Sequence, residues 1–241
     1  MRIAYIVPGV GLSSREIERR SGIANKIASR ASVDIVTVDR GPQTIEGFVE
    51  EAYASISYLP KLYMLKDRYD AFIIGCFGDP GLHASRELID KPVIGPAEAS
   101  LSIASMLGER FLIISPLKST VALTYSIVRS LGYSDRVYKI VSIDRAVKEI
   151  AEGSYRNWEN LGKSLRKHID RGKGEVAILG CMSMGFALAD EPLSRVLEVP
   201  VVNPVKVSIK IAEIFAELGL KHSRTTYPGV DIAKLKDLLN I

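Results

Sequence analysis

Ile73-Ile74-Gly75-Cys76 and Ile178-Leu179-Gly180-Cys181 are nearly superimposable stretches, and they hold the only two cysteines in 241 residues. Each closes a short apolar run of the kind that forms a buried strand. Around them, Val- and Ile-rich runs alternate with longer amphipathic ones, the pattern of βαβ units in a parallel sheet covered by helices. Strands are expected at 2–7, 33–38, 71–76, 92–95, 111–115, 138–142, 175–181 and 199–203. A first helix is expected after the capping box Ser13-x-x-Glu16. Further helices are expected at 44–57, 81–90, 97–107, 119–131, 155–171, 187–197, 205–218 and 230–240.

The chain reads as a duplication. Pro92-Val93-Ile94-Gly95-Pro96 follows the first cysteine and Pro200-Val201-Val202-Asn203-Pro204 the second, and the helices after them end at Leu107-Gly108 and Leu218-Gly219. Upstream, Arg2-Ile3-Ala4-Tyr5-Ile6-Val7-Pro8 echoes Arg110-Phe111-Leu112-Ile113-Ile114-Ser115-Pro116. We therefore expect an α/β protein of two Rossmann-like (flavodoxin-like) lobes with parallel sheets related by pseudo-twofold symmetry. The first lobe would hold 1–96 plus 206–241, and the second 97–205. Ligands of parallel α/β sheets bind outside the carboxyl ends of the strands. The loops at Pro8 to Gly11 and Ser115 to Lys118 would then converge with both cysteines on an interlobe cleft.

Hydrophobic residues make up 47% and charged residues 25%, which describes a soluble globular chain without disordered tails. The opening apolar run, Ile3 to Val7, is too short for a signal peptide core, and no later stretch approaches a membrane span. A cytoplasmic protein without a membrane partner is expected. Two cysteines are too few for a disulfide scaffold, so a reducing compartment would leave them as thiols, with a Cys76–Cys181 bridge as the alternative. The net charge of +4 and pI of 9.0 raise the question of nucleic acid. The bases are scattered through helical segments such as Arg15 to Arg20 and Arg166 to Lys173, without aromatic interleaving, so they read as solvated helix faces.

A lone cysteine at a strand end is usually a small buried hydrophobe. Both cysteines of a chain at equivalent repeat positions point instead to chemistry with mirror-related steps. Inverting a carbon stereocentre by proton transfer needs a base on one face and an acid on the other, with roles exchanged in the reverse direction. A thiol, with an ordinary pKa of about 8.5, can be tuned toward working pH, and backbone N–H groups can hold the enolate oxygen formed between the steps. Such a scheme needs no cofactor.

Gly75-Cys76-Phe77-Gly78-Asp79-Pro80-Gly81-Leu82, continuing through Arg86, Glu87 and Pro92 to Glu98-Ala99, resembles the first-cysteine block of the hydantoin (allantoin) racemases within the Asp/Glu racemase superfamily. Leu179-Gly180-Cys181-Met182 with Met184 is similar to the second-cysteine block. Gly41-Pro42-x-Thr44-Ile45-Glu46 and Ser223-Arg224 with Tyr227 and Pro228 extend the similarity over almost the whole chain. The resemblance implies a cofactor-independent racemase in which Cys76 and Cys181 act as opposing acid and base on a 5-substituted hydantoin or related cyclic ureide. Substrate would be held chiefly through backbone groups at Pro8, Gly9, Val10, Phe77, Gly78, Ser115, Pro116, Met182 and Ser183. It also implies a homo-oligomer.

The amino-acid racemases of that superfamily carry Cys-Asn-Thr at the first cysteine and Cys-Thr at the second, where this chain has Phe77-Gly78 and Met182-Ser183. The side chains that would grip an α-carboxylate and ammonium are thus missing. Three other readings stay open: amino-acid racemisation or cis-trans isomerisation of a dicarboxylate, a two-lobed binding protein without catalysis, and an NAD-dependent enzyme. The last rests on Gly9-x-Gly11-x-x-Ser14 with Asp39, a partial dinucleotide fingerprint that lacks its third glycine. His83, His168 and His222 share no metal-like spacing, so no metal site is expected. Tyr155 and Trp158 are read as packing residues.

Overall fold

The computed structural model describes residues 1–153 and 155–239. The chain divides into two compact units: residues 1–95 with the segment from Ser208 onward, and Pro96–Val207. The first contains β1 (Arg2–Val7), α1 (Ser14–Ile27), β2 (Ser32–Thr37), α2 (Phe48–Ser57), α3 (Leu59–Leu65), β3 (Ala71–Ile74), α4 (Leu82–Leu88) and β4 (Val93–Ile94). In the second follow α5 (Pro96–Leu107), β5 (Phe111–Ser115), α6 (Lys118–Ser130), β6 (Val137–Ser142), α7 (Val147–Ala151), α8 (Trp158–Leu165), β7 (Val176–Leu179), α9 (Met182–Phe186), α10 (Asp190–Leu197) and β8 (Val201–Val202). The division falls within α11 (Pro204–Glu217), and α12 (Ile232–Leu239) returns to the first unit.

Both sheets are parallel and follow one scheme. The strand orders are β2-β1-β3-β4 and β6-β5-β7-β8. Ile3 to Ile6 pair with Ala71 to Ile74 in the first sheet, and Phe111 to Ile114 pair with Val176 to Leu179 in the second. The bonds flanking these strands repeat too. Asp70 N–H donates to Arg2 C=O and Glu175 N–H to Arg110 C=O, both at 2.8 Å; Phe72 N–H donates to Pro92 C=O and Ala177 N–H to Pro200 C=O, both at 2.9 Å.

All four residues of β3 and of β7 are buried, as expected of inner parallel strands covered on both faces. In the first unit Ile6, Phe72 and Ile74 pack with Tyr58, Leu62 and Leu82. In the second, Leu112, Ile114 and Leu179 pack with Trp158, Met184 and Leu193. Each fully buried side chain of this size is worth about 1.5–3 kcal/mol. Trp158 stands edge-on to Tyr155 with ring centroids 4.8 Å apart.

Several boundaries differ from expectation. Strand 71–76 stops at Ile74 because Cys76 N–H turns back onto Ile74 C=O, 2.8 Å away. Strand 175–181 stops at Leu179, and Cys181 caps a short helix, α9, where a loop was expected. Left-handed Leu188, at φ 53°, separates α9 from α10, so the predicted 187–197 helix begins at Asp190. Helix 44–57 begins at Phe48 because Gly47 is extended before it. Pro60 does not end helical structure but sits in the first turn of α3, where its missing N–H has no role. The 155–171 helix shortens to α8 and a following 3-10 turn, Arg166–His168. The capping box is half made: Ser13 Oγ accepts from Glu16 N–H at 3.2 Å, but the Glu16 carboxylate turns to Arg19 and Arg20, each at 2.7 Å. The end of the predicted 230–240 helix lies outside the described residues.

The Ser223-Arg224 and Tyr227 stretch holds the C-terminal segment to α4. Arg224 donates to Asp90 and to Ile89 C=O, Lys221 reaches Asp90 at 2.6 Å, and His222 Nε2 accepts from Val93 N–H at 2.9 Å. His83 Nδ1 lies 3.0 Å from the Tyr227 hydroxyl. Hydrogen bonds from Lys221 and Arg224 hold the Asp90 carboxyl below its ordinary value. A lowered pKa means that this docking is fully present above the ordinary Asp range and is lost as pH falls through the folded value. Asp90→Asn should therefore raise amide exchange in residues 221–228 at neutral pH, and the difference from wild type should vanish in strong acid, as read by hydrogen exchange.

Candidate active site

In each sheet the chain leaves its first strand in one direction and its third in the other, so the topological switch point lies between β1 and β3 and between β5 and β7. Ligands of such sheets bind beyond the carboxyl ends of these strands. Cys76 and Cys181 stand there, each one residue past a glycine. Gly75 N–H donates to Ile6 C=O at 2.6 Å and Gly180 N–H to Ile114 C=O at 2.8 Å. A Cβ on Gly75 would lie 2.6 Å from that same Ile6 oxygen and from the Tyr5 ring, and one on Gly180 2.9 Å from the Ile114 oxygen. Only glycine lets the chain pass so close, and the cysteine behind it is thereby placed.

The loop after Cys76 is built from contacts with α2. Gly81, at φ 65°, is left-handed, and a Cβ there would lie 2.6 Å from Ser55 C=O. The buried Tyr58 hydroxyl donates to Pro80 C=O at 2.7 Å and meets Ser85 Oγ at the same distance; burial pushes its pKa upward. Asp79 N–H donates to Cys76 C=O at 3.2 Å, and Asp79 takes a left-handed φ of 49°. Phe77 is buried, whereas Cys76 and Gly78 are partly exposed. Gly78 faces Glu51: a Cβ there would lie 2.8 Å from Glu51 Oε1 and 3.8 Å from Cys76 Sγ.

Around Cys181 the packing is tighter. The thiol is 8% exposed and belongs to the second core, with Met184 and Leu179. Met182 and Ser183, both buried, form the first turn of α9. That helix is held by Asn203, whose Nδ2 donates to Gly185 C=O at 3.0 Å and to Asp190 at 2.7 Å. Lys206 closes the network onto Asp190 at 2.6 Å. Here the two units solve one packing problem in opposite ways. A Cβ on Gly95 would lie 2.5 Å from Asp79 Oδ2, and one on Gly185 2.6 Å from Asn203 Oδ1. The polar group thus comes from the cysteine loop in one unit and from the end of the outer strand in the other.

Pro8, Gly9 and Val10 leave β1 beside the Cys76 strand and rest on Gly41-Pro42. Val10 N–H donates to Pro42 C=O at 3.0 Å, and a Cβ on Gly9 would lie 2.7 Å from that oxygen. Glycine at position 9 thus has a structural cause of its own, apart from any phosphate. Ser115 is fully buried with its Oγ 2.7 Å from Thr120 Oγ1, and Pro116 C=O accepts from Arg145 N–H at 2.9 Å. Neither cysteine is part of a disulfide. Among the described residues no helix is long and apolar enough to cross a membrane.

The model of the Asp/Glu/Hydantoin racemase family matches residues 19–212. The chain belongs to the Asp/Glu/hydantoin racemase family. A hydantoin racemase of Pseudomonas sp. (strain NS671) is 33% identical over 93% of this chain and 89% of its own. One of Paenarthrobacter aurescens is 32% identical over 93% and 94%. The solved structure of an allantoin racemase from Klebsiella pneumoniae superimposes with a TM-score of 0.85 at 30% identity, covering 95% of this chain and 94% of that one. Racemases are isomerases, and this racemase-family chain has the two α/β units of that fold.

Within this family member, sequence reasoning missed Glu51, Tyr58 and Asn203. Asn203 had a signal, since it replaces Gly95 in an otherwise matching Pro-Val-x-x-Pro stretch. Glu51 and Tyr58 had none, because their role depends on where α2 packs. Gly75→Ala and Gly180→Ala should each destabilise by about 1–3 kcal/mol, as overpacking against backbone does. Gly22→Ala, within α1 with nothing within 4 Å of the added methyl, should instead stabilise by about 0.5–1 kcal/mol. Urea unfolding of the three variants checks both signs.

Proposed function

We propose that the protein racemises a 5-substituted hydantoin or related cyclic ureide, with Cys76 and Cys181 as acid and base. The observation that carries this reading is the equivalence of the two thiols: each follows a glycine bonded to a carbonyl near the end of the first strand, at the switch point of its sheet. The family and the hydantoin racemase relatives support the substrate class. One thiolate takes the proton from the stereocentre, leaving the electron pair in an enolate. The other thiol gives its proton to the opposite face, and the pair ends with its protonation exchanged. Main-chain N–H groups near Phe77, Gly78, Met182 and Ser183 would steady the enolate oxygen. The same reading places the enzyme in the cytoplasm as a homo-oligomer; two cysteines outside any disulfide support the first, and exposed Phe48, Val49, Tyr53 and Ile56 on α2 the second.

In deuterated water the wild type should place deuterium at the stereocentre of both enantiomers while racemising them. Cys76→Ser and Cys181→Ser should each slow racemisation by roughly 10²–10⁴-fold, the usual range for a positioned proton-transfer group. Exchange monitored by NMR that continues unchanged in both variants would remove the thiols from the mechanism.

A further inference from the structure

Glu50 and Glu51 both lie in the first turn of α2, where carboxylates are favoured by the helix N-terminus. They behave differently. Glu50 folds back over Gly47, its Oε2 2.8 Å from where a Cβ would stand. Glu51 points to the Cys76 loop, into space left by the missing side chain of Gly78. Its Oε1 and Cys76 Sγ lie 2.8 Å and 3.8 Å from one and the same point, the Cβ position of Gly78. The residue is half-buried, and among the described residues no hydrogen bond or ion pair reaches its carboxylate. Burial pushes the Glu51 carboxyl above its ordinary value.

A carboxylate only accepts hydrogen bonds, and leaving it partly desolvated without a donor is unfavourable. A ligand that brings an N–H to this place relieves that. In a hydantoin the stereocentre is bonded directly to a ring nitrogen, so a substrate with its C–H toward Cys76 Sγ carries an N–H a bond away from the reacting carbon. We propose that Glu51 is the positioning residue for substrate at Cys76, its carboxylate accepting a hydrogen bond from the ring N–H next to the stereocentre; this rests on the racemase reading above. A side chain at position 78 would then displace the carboxylate, since its Cβ would lie 2.8 Å from Glu51 Oε1 and 3.8 Å from the sulfur. The chain's departure from a polar residue at this place is explained as well: Phe77-Gly78 carries no side-chain donor or acceptor, and the polar group is supplied from α2.

The test is equilibrium binding by calorimetry, which does not depend on turnover, alongside steady-state racemisation. The probes are 5-benzylhydantoin and its two ring N-methyl derivatives. Glu51→Ala should weaken binding of the parent by about tenfold or more, the loss expected for a hydrogen bond to a charged group, and Glu51→Gln by less. Both variants should raise KM more than they lower kcat. Methylation of the nitrogen beside the stereocentre should weaken binding to wild type by a similar factor and leave Glu51→Ala unaffected, whereas methylation of the other nitrogen should affect both alike. Circular dichroism and thermal unfolding show that the variants are folded. Equal binding of the parent by wild type and Glu51→Ala, or equal sensitivity of the two to methylation beside the stereocentre, overturns the inference while racemisation by wild type upholds the enzyme reading. Glu51-dependent binding without racemisation keeps the inference and overturns the two-thiol mechanism. A wild type that binds none of the three overturns both.

Discussion

The contact on which the site depends is a glycine N–H laid against a carbonyl near the end of a neighbouring strand. Gly75 on Ile6 and Gly180 on Ile114 extend each ladder by one bond and then release the chain. With a Cβ in either place the strand would have to move away from its partner, and the cysteine would move with it. Because the contact lies where the sheet changes winding direction, the residue after it stands at the carboxyl ends of two paired strands whose onward connections run in opposite directions. Placement of a reactive group on the end of a buried strand is rigid, since β3 and β7 are packed on both faces.

The same constraint is supported differently in the two units. The Cys76 loop is a run of irregular backbone held by glycines at 75, 78 and 81, by left-handed Asp79, and by the Tyr58 hydroxyl from α2. Cys181 instead leads directly into a helical turn pinned by Asn203 and Asp190. One thiol is partly exposed and the other lies in a core. Equivalent backbone placement is thus combined with unequal surroundings.

Much of the fold was legible because the buried strands are short continuous apolar runs, and because duplication let each half check the other. The Arg2 and Arg110 runs, the Pro92 and Pro200 runs and the two cysteine stretches all fall into matching register. Helix limits were less legible. Pro60, Gly47 and Leu188 govern where helices start and stop through backbone conformations that local pattern does not state, and α9 is too short to show a period. The capping box at Ser13 was right in its hydroxyl and wrong in its carboxylate, since two arginines one turn on compete for Glu16.

By itself, the sequence determined that two α/β repeats each present a Gly-Cys at a strand end, because apolar periodicity and a repeated motif are properties of neighbouring residues. It also carried the family resemblance, since Gly75 to Leu82 is a contiguous block. What only the tertiary structure decided is which distant residues surround each thiol. Glu51, Tyr58 and Asn203 lie about 20 residues of chain away from their cysteines, and the packing of α2 and the end of β8 brings them in. Side-chain packing between elements depends on shapes and orientations that no local pattern encodes, and for this reason the surroundings of the thiols came from the fold.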